Sequence, residues 1–467
     1  MRIHPKKAKY YIVPALVIFL LSGCAGINKT AIKKTVPHEF TFPKDFLWGA
    51  STSSHQVEGN NTNNDWWEWE QTRPPVTRSG QACDQWNRFE EDFKLAQALG
   101  HTAHRFSIEW SRIEPREGQF DAAALDHYRE VIKSLRSKGI EPIVTLYHFT
   151  LPLWVARQGG WLSEKTPELF ARYAQKVTDA LGGDVHYWMT LNEPVVHAFR
   201  GYMSGEWPPG EKSTDKTLKV FKNLLLGHVL AYEKIKETYA QKGWETPMVG
   251  IAQSVLVFQP SSGYSLIDQA AAGSCDLMFN RLFVNALVQG RACILGFFYV
   301  HLPRGKTLDF IGLNYYTRVF VSSRGLGFPE ISGNAREAAE QFRHSGKYNF
   351  LSWEIYPEGL HVFLKEYSRY KLPLLVSENG ITTNDDTERT AFIVEHTKAM
   401  ARAMEEGAPV IGYLYWSLLD NYEWNEGFVP RFGLIGVDYA TQERTVRDSA
   451  KKYEEIIRSG KLFLDNN

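Results

Sequence analysis

The sequence has no excess of charge of either sign. Its 467 residues include 53 lysines and arginines and 53 aspartates and glutamates, so the formal net charge is zero with histidine neutral. A protein that binds nucleic acid usually carries a basic excess or a basic stripe, and this balance therefore argues against nucleic acid as a partner. Charged residues amount to 23% and hydrophobic residues to 43%, a composition typical of a globular chain and not of a disordered one.

Cysteine is scarce, with four residues at positions 24, 83, 275 and 293. None belongs to a Cys-x-x-Cys pair or to a Cys/His spacing typical of metal sites, so we expect neither a metal ion nor a structural zinc. If Cys24 is modified, three thiols remain, an odd number for an oxidising compartment. Cys275 and Cys293 could then form a disulfide, and Cys83 is expected to be a buried free thiol.

The N-terminal apolar run at residues 10–21 is too short to cross a membrane, because a spanning helix needs about 20 apolar residues. It follows the basic residues 1–9, and together they have the layout of a secretory signal peptide. The run ends in Leu21-Ser22-Gly23-Cys24, which resembles the lipobox of bacterial lipoproteins.

That resemblance implies cleavage before Cys24 and attachment of lipid to its thiol. We therefore expect a signal peptide at 1–23, a polar tether at 24–38 and a folded domain at 39–467. The mature protein would be exported and held at the membrane by lipid, in the periplasm or at the outer membrane. An uncleaved signal anchor or ordinary cleavage would explain the same segment.

From residue 46 onward, short apolar runs alternate with amphipathic stretches, without a Gly/Ser-rich or Pro-rich linker between them. In residues 122–138, for example, apolar residues recur at spacings of three and four, which predicts a helix with one buried face. The predicted strands are 46–50, 103–108, 141–147, 186–191, 247–252, 308–313, 372–377 and 410–415, and the predicted helices are 86–99, 122–138, 166–181, 217–242, 265–289, 357–370, 387–405 and 443–458.

Eight alternating strand–helix units with nearly continuous apolar strands predict a parallel sheet covered by helices and closed as a single-domain (β/α)8 barrel, a TIM barrel. An open, doubly wound sheet is the alternative. That fold would place a Gly-rich phosphate-binding turn after the first strand, and the sequence has none there, which favours the barrel.

Two glutamates follow predicted strands four and seven, and a barrel assembles its site at these carboxyl ends. Glu193 lies in Thr-Leu-Asn-Glu-Pro and Glu378 in Val-Ser-Glu-Asn-Gly. Two carboxyl groups facing each other across the barrel mouth are what glycoside hydrolysis requires, one to protonate the leaving oxygen and one to attack the sugar or activate water. A glutamate at a strand end can also be simply a salt-bridge partner.

These two motifs resemble the acid/base and nucleophile motifs of glycoside hydrolase family 1, the β-glucosidase family. The likeness continues in order along almost the whole chain from Phe46 to about Tyr453. Further stretches that carry it are 46–59 (FLWGASTSSHQVEG), 104–113 (HRFSIEWSRI), 141–154 (EPIVTLYHFTLPLW), 309–317 (DFIGLNYYT), 353–360 (WEIYPEGL), 415–424 (YWSLLDNYEW), 431–439 (RFGLIGVDY) and 443–445 (ERT).

The resemblance implies a retaining β-glycosidase, most simply a β-glucosidase, that needs no cofactor. Glu193 would be the general acid/base and Glu378 the nucleophile, with Arg105 and Tyr316 orienting the nucleophile. The acid must hold a proton near neutral pH, which requires a raised pKa, whereas the nucleophile must stay ionised.

The resemblance also implies a pocket for one terminal glucosyl residue of a small β-glucoside or β-linked oligosaccharide. Asn192 would contact the 2-hydroxyl, and the pair Glu423-Trp424 favours an unphosphorylated sugar. The alternatives are a core histidine bonded to backbone at His148, barrel packing for Trp416 and Phe432, and a loop cap at Gln56. The implied substrate-binding residues are Gln56, His148, Asn192, Trp416, Glu423, Trp424 and Phe432, of which Trp416 would form a floor and Phe432 a wall.

The sequence departs from the usual family pattern at residues 83–88, which are expected to be structural, and in two further places. Phe149-Thr150 stand where many members have Trp-Asp, and residues 290–307 are unusually apolar and shorter than the matching segment of most members. The shortened segment lies between predicted strands five and six, so it puts local packing and aglycone contacts in doubt. A transglycosylase using the same covalent intermediate, or a carbohydrate-binding lipoprotein without turnover, is an alternative function.

Overall fold

The computed structural model describes residues 10–11, 37–294, 298–323, 330–332 and 347–464. Its centre is a ring of parallel strands in chain order. The eighth strand pairs with the first, and the fifth pairs with the sixth, so the ring is closed. These strands are β1 (Leu47–Ser51), β2 (Ala103–Ser107), β3 (Glu141–Tyr147), β4 (Tyr187–Asn192), β5 (Met248–Pro260), β6 (Ile311–Ser322), β7 (Leu374–Asn379) and β8 (Val410–Trp416).

A helical segment follows each strand and packs outside the ring. The fifth consists of Leu266–Asp276, a π-helical turn at Leu277–Arg281, and Leu282–Gln289. The others are α1 (Gln85–Ala98), α2 (Ala122–Ser137), α3 (Thr166–Leu181), α4 (Thr214–Lys242), α6 (Pro357–Tyr367), α7 (Asp386–Glu405) and α8 (Asp448–Ser459), with α5 denoting the segment 266–289. The expected (β/α)8 barrel is therefore confirmed.

Short helices and two-stranded ribbons complete the described structure. The short helices are Ser54–Val57, Asp65–Glu70, Pro75–Thr77, Trp110–Ile113, Leu153–Arg157, Gly160–Leu162, Gly182–Asp184, Pro194–Ala198, Phe199–Met203, Ser368–Tyr370 and Trp424–Glu426. The ribbons pair His38–Thr41 with Lys461–Leu464, Arg291–Ile294 with Phe298–His301, and Ile435–Val437 with Arg444–Val446, while Glu330–Ser332 pairs with β6 and with Tyr10–Tyr11.

None of the helices found in the described ranges combines the length and apolarity that a membrane crossing demands. The signal-peptide and lipobox residues apart from 10–11, including Cys24, lie outside the described residues.

Helix α2 shows how local sequence produces this architecture. The Asp121 carboxylate accepts hydrogen bonds from the backbone N–H groups of Ala123 and Ala124, which satisfies donors left free at a helix start. The apolar residues predicted to share one face are all buried, which confirms the periodicity. They are Leu125, Tyr128, Val131, Ile132 and Leu135.

The interior of the ring is a packed apolar core and not a pore. Side chains from alternating positions of the strands meet there, and each is 0% exposed. Because helices cover the outer face of the same strands, both faces are buried, as the nearly continuous apolar runs predict. The core side chains are Ala103, Ile143, Met189, Ala252, Phe310, Leu375 and Leu414.

Strands β5 and β6 are much longer than the predicted runs 247–252 and 308–313, with 13 and 12 residues. They continue to pair above the ring, from Arg318 opposite Val257 to Val321 opposite Pro260. In this extension the β5 residues from Leu256 onward are half-buried, whereas most of the β6 residues stay buried. Polar residues directly follow both predicted runs, at Gln253-Ser254 and at Asn314, so the apolar signal stops short of the extension. Helix α8 begins at Asp448 and not at 443, because Arg444–Val446 forms a strand of a ribbon.

The shortened segment between β5 and β6 folds as the ribbon Arg291–Ile294 with Phe298–His301. Ala292 and Val300 are buried, and the Phe298 ring lies 5.8 Å from that of Phe221 on α4. The segment thus packs against α4 through Phe298 and lies beside α5, while Tyr299 is 66% exposed.

The described cysteines are all free thiols, so the Cys275–Cys293 disulfide is not formed. Cys275 is buried with Val321 of the β5–β6 extension, whereas Cys293 is exposed on its ribbon. Cys83 is buried, as expected, and its Sγ lies 2.9 Å from the Asp420 carbonyl oxygen.

Replacing Leu375 with alanine is expected to lower the free energy of unfolding by about 2–5 kcal/mol, because it leaves a cavity inside the ring. The matched change Leu266→Ala, at a residue 78% exposed, is expected to alter it by less than about 0.5 kcal/mol. Urea unfolding followed by circular dichroism measures both. Equal losses in the two variants would contradict a packed barrel interior.

Candidate active site

The carboxyl ends of the strands bring the predicted catalytic residues together. Arg105 lies on β2, Tyr316 on β6 and Glu378 on β7, while Glu193 directly follows β4. Since parallel strands end on the same face of a barrel, residues far apart in sequence meet at one mouth. All eleven residues predicted for catalysis or substrate binding are linked there by hydrogen bonds or ring contacts described below.

Glu378 is buried and held by two donors. Arg105 Nη1 lies 2.5 Å from Glu378 Oε1, and the Tyr316 hydroxyl donates to Oε2 at 2.7 Å. The Arg105 side chain is itself fully buried, so its charge is poorly screened by solvent. A carboxylate with a guanidinium on one oxygen and a phenol on the other is fixed in orientation.

Burial raises the pKa of the Tyr316 hydroxyl well above its usual value, and the negative charge of Glu378 adds to the effect. The phenol therefore keeps its proton at neutral pH and acts as a donor to Glu378.

Glu193 lies at a sharp change of direction between β4 and the helix Pro194–Ala198. Its backbone is left-handed, with φ of 44°, and its N–H donates to the Ala252 carbonyl oxygen at 2.8 Å. Proline at the first helical position suits a helix start, because it has no N–H to leave unpaired. A left-handed backbone is costly for glutamate and persists only where the surroundings hold it, as happens at functional sites.

Burial, and after it the negative charge of Glu378, raise the pKa of Glu193 to about 7. Hydrogen bonds from Asn314 and Ser254 and the charge of Arg105 oppose this rise without cancelling it. A large share of Glu193 is consequently protonated near neutral pH, whereas Glu378 has cationic and phenolic donors on both oxygens. The two carboxyl groups thus have the unlike environments that an acid and a nucleophile need.

One amide oxygen joins the two carboxyl groups into a single frame. Asn192 Oδ1 accepts from Arg105 Nη2 at 2.7 Å and from Asn314 Nδ2 at 3.2 Å. Arg105 also donates to Glu378, and Asn314 also donates to Glu193 Oε1 at 3.0 Å. Each carboxyl group is therefore one donor away from the same atom.

His148 is also part of this frame. Since Asn192 Oδ1 accepts two hydrogen bonds, its Nδ2 is the donor that faces His148 Nε2 at 3.2 Å, which places the ring proton of a neutral histidine on Nδ1. Burial and the charge of Arg105 lower the pKa of His148 well below its usual value, so the ring is neutral. His148 bonds a side chain and not backbone, and the interpretation as an ordinary core histidine is not supported.

The remaining polar residues meet at the β8 side of the mouth. Gln56 is fully buried, and its Nε2 donates to the Tyr422 carbonyl oxygen at 2.7 Å and lies 3.4 Å from Glu423 Oε2. Trp416 Nε1 donates to Glu423 Oε1 at 3.2 Å. Burial raises the pKa of Glu423 well above its usual value. A carboxyl group and an amide are thus fixed beside an indole ring, which suits recognition of a hydroxylated ligand.

The aromatic residues surround these polar groups. His148 stacks against Trp416 and Trp424, with ring centroids 5.9 and 6.1 Å away. Phe432 lies 6.2 Å from Tyr316. Trp424 belongs at the same time to a buried aromatic cluster, and Phe149, with φ of 74°, is part of it. The other members of this cluster are Trp66, Trp207 and Tyr422.

Three site residues were not assigned a role from sequence. Asn314 links Glu193 to the Asn192 amide oxygen, the Ser254 hydroxyl lies beside Glu193, and Trp353 lies 5.6 Å from the Tyr316 ring. Asn314 follows a predicted strand, so its position pointed to the mouth. Ser254 lies on the part of β5 beyond the predicted strand, and Trp353 lies in a loop, where spacing gives no indication of a contact.

Known proteins match both the sequence and the fold. The model of the family described as Glycosyl hydrolase family 1 matches residues 38–294 and 301–462, and the break falls at the ribbon of the shortened segment. Beta-glucosidase A from Thermotoga maritima is 32% identical over 452 residues, which cover 90% of this chain and 98% of that protein.

Two solved structures have the same fold over most of their length. A beta-glycosidase from Pyrococcus horikoshii has a TM-score of 0.83 at 41% identity and covers 91% of this chain and 96% of its own. The beta-glucosidase from Thermotoga maritima in complex with glucoimidazole has a TM-score of 0.81 at 31% identity, with coverage of 90% and 99%.

The pKa of Glu193 is expected to fall below about 7 in the variant Glu378→Gln, because a nearby negative charge is removed and ionisation becomes easier. Titration by NMR with glutamate labelled at the carboxyl carbon measures this pKa, and the Glu193→Gln spectrum assigns the signal. Glu455→Gln, at an exposed position on α8, serves as the control and should leave the pKa unchanged. An unchanged pKa in Glu378→Gln would mean that the two carboxyl groups do not interact.

Proposed function

The chain belongs to glycosyl hydrolase family 1 and is a β-glycosidase, and on this premise we propose that it releases terminal β-D-glucosyl residues with retention of anomeric configuration. The observation that carries the proposal is the pair of unlike carboxyl groups, Glu193 and Glu378, tied to one amide oxygen at the barrel mouth. The relatives named above support β-glucosides as the substrate class.

In the first step of the proposed reaction, a Glu378 oxygen attacks the anomeric carbon as the bond to the leaving oxygen breaks. Glu193 donates its proton to that oxygen, so the aglycone leaves as a neutral alcohol and the sugar is bound to Glu378 as an ester. Arg105 and Tyr316 hold the attacking carboxylate in position, which reduces the entropic cost of reaching the transition state. The general acid prevents a charged leaving group.

In the second step, water replaces the aglycone and Glu193 acts as the base. Formation of the ester removes the negative charge of Glu378, which is one cause of the raised pKa of Glu193. Glu193 therefore ionises more readily at the stage when it must accept a proton. Water loses that proton to Glu193, its oxygen bonds the anomeric carbon, and the Glu378 carboxylate is released. Two inversions at one carbon give net retention.

We assign the sugar end of the pocket to the β8 side of the mouth. Gln56 and Glu423 offer hydrogen-bonding groups there, Trp416 offers an apolar ring surface, and His148 offers its Nδ1–H. A site whose buried polar groups need sugar hydroxyls as partners discriminates strongly against ligands that lack them. Glu423 brings no positive charge, which supports an unphosphorylated sugar.

The stereochemical outcome tests the proposal. With p-nitrophenyl β-glucoside, proton NMR of the earliest product should show β-glucose, which then slowly mutarotates. Glu378→Gln should lower kcat by roughly 10⁴-fold or more, because no nucleophile remains. If the earliest product is α-glucose, water attacks the anomeric carbon directly, and the proposed covalent intermediate is wrong.

Two further outcomes would replace hydrolysis as the main function. Transfer of glucose to an added sugar acceptor in preference to water would make the protein a transglycosylase. Binding of β-glucosides without turnover by the wild-type protein would make it a carbohydrate-binding protein. A screen of β-glucosides, β-galactosides, β-fucosides, β-mannosides and 6-phosphoglucosides sets the sugar preference.

We further propose that the protein is exported and held at a membrane by lipid on Cys24. The basic residues 1–9, the apolar run 10–21 and the lipobox-like residues before Cys24 support this location. Cys24→Ala should move the exported protein from the membrane to the soluble fraction, because several acyl chains anchor a protein durably. Mass spectrometry of the N-terminal peptide reports the lipid. Equal membrane association of Cys24→Ala and wild type would contradict lipid anchoring at this residue.

A further inference from the structure

His55 is next to Gln56 in the short helix Ser54–Val57, but its ring is in a different environment. The Gln56 side chain contacts Glu423, whereas the His55 ring lies beside Glu70. The His55 and Glu70 side chains are each 0% exposed. His55 Nε2 lies 3.7 Å from Glu70 Oε2. Neither residue belongs to the hydrogen-bonded frame that links Glu193 and Glu378 through Asn192, so that frame does not explain why two ionisable side chains are buried here.

The hydrogen bonds of Asn64 show where the proton of a neutral His55 lies. Asn64 Oδ1 accepts from the Trp67 N–H at 2.8 Å as the cap of the helix Asp65–Glu70. Its Nδ2 is therefore the donor facing His55 Nδ1 at 3.0 Å. Because Nδ1 accepts, the proton is on Nε2, which is the atom nearest Glu70.

Glu70 is held as a carboxylate by several donors. The Ser79 hydroxyl donates to Oε1 at 2.6 Å and the Ser79 N–H to Oε2 at 3.1 Å. Burial opposes ionisation, but the neighbouring His55 ring and the Ser79 donors together hold the pKa of Glu70 below its usual value. Burial, and after it the negative charge of the nearby Glu70, raise the pKa of the Tyr422 hydroxyl.

This network contacts the segment that carries Glu423. The His55 ring is nearly parallel to that of Trp424, with an angle of 10° and centroids 5.8 Å apart, and it meets Tyr422 edge-on at 5.9 Å. Gln56 binds the same segment through backbone, because its carbonyl oxygen accepts from the Tyr422 N–H at 3.2 Å. Residues on both sides of Glu423 are thus attached to the His55–Gln56 pair.

The Trp424 backbone has φ of 53°. A left-handed conformation of this kind persists only when its surroundings determine it. Stacking on one side and hydrogen bonds through Tyr422 on the other are the contacts that meet this requirement. Small movements of the segment would move the Glu423 carboxyl group away from Trp416 and Gln56.

We infer that His55 and Glu70 are positioning residues that hold Glu423 and Trp424 in place for recognition of the sugar. The inference rests on the proposed function, since it takes the β8 side of the mouth as the sugar end. A role of this kind affects sugar binding at every stage of the reaction alike, so it changes KM more than kcat.

His55→Phe keeps a ring of similar size against Trp424 and removes both nitrogens. We expect KM for p-nitrophenyl β-glucoside and Kd for the sugar-shaped amine deoxynojirimycin to rise about tenfold, the equivalent of one to two hydrogen bonds, while kcat changes less than about threefold. Glu70→Gln should act in the same direction, because a carboxamide cannot accept from all its present donors. Calorimetric titration gives Kd, and thermal unfolding shows whether each variant is folded.

His396→Phe is the matched control, because His396 is also fully buried and stacks on a ring, at 3.7 Å from Phe392 on α7. It should leave KM and Kd unchanged even if it lowers the melting temperature. The double variant His55→Phe with Glu70→Gln should be within about twofold of His55→Phe alone, because coupled residues act through one contact.

Wild-type turnover separates this inference from the proposed function. If wild type hydrolyses the glucoside and folded His55→Phe has unchanged KM and Kd, the positioning role is wrong and the function stands. The positioning role would also be wrong if the rises in KM of the two single variants multiplied in the double variant. A rise in KM in His396→Phe as large as that in His55→Phe would contradict it as well. If wild type binds deoxynojirimycin without turnover, the proposed function fails, and Kd alone still tests the positioning role.

Discussion

The buried guanidinium of Arg105 is the interaction on which the site depends. It donates to Thr145 on β3, to Asn192 on β4 and to Glu378 on β7, so one side chain from β2 ties three other strands together at the mouth. Its charge also balances a carboxylate that would otherwise be costly to bury. The closed ring makes this possible, because only a barrel brings the ends of strands two, four and seven within reach of one side chain.

The different hydrogen-bond partners of the two carboxyl groups follow from where each is attached. Glu378 ends a strand and is reached directly by Arg105 and Tyr316. Glu193 lies one residue beyond its strand, at a left-handed turn, where its nearest described donor is the neutral amide of Asn314. The strained backbone at Glu193 thus keeps it away from the direct ion pair that would lower its pKa.

Much of this arrangement is predictable from sequence, since strand ends are marked by apolar runs and the polar residues that follow them. The eight strands, the eight helical segments and the meeting of Glu193, Glu378, Arg105 and Asn192 depend on such local signals. Other features depend instead on pairing between strands and on how loops cover helices. They are the extension of β5 and β6, the start of α8 and the ribbon that begins at Arg291. Trp353 and the His55–Glu70 contact arise from loop packing, for which a single sequence has no periodic signal.

The two halves of the pocket are built differently. The catalytic frame rests on strand ends, whereas Glu423 and Trp424 lie in the loop between β8 and α8, where the backbone needs separate support. Asp420, 1% exposed, supplies it by accepting two hydrogen bonds from Arg447 and one from the Gly433 N–H. The loop is held by contacts of its own and by the His55–Gln56 pair, which do not involve the two carboxyl groups. Under the proposed assignment of the sugar end, changes there would therefore alter which sugar is bound while the carboxyl pair keeps its geometry.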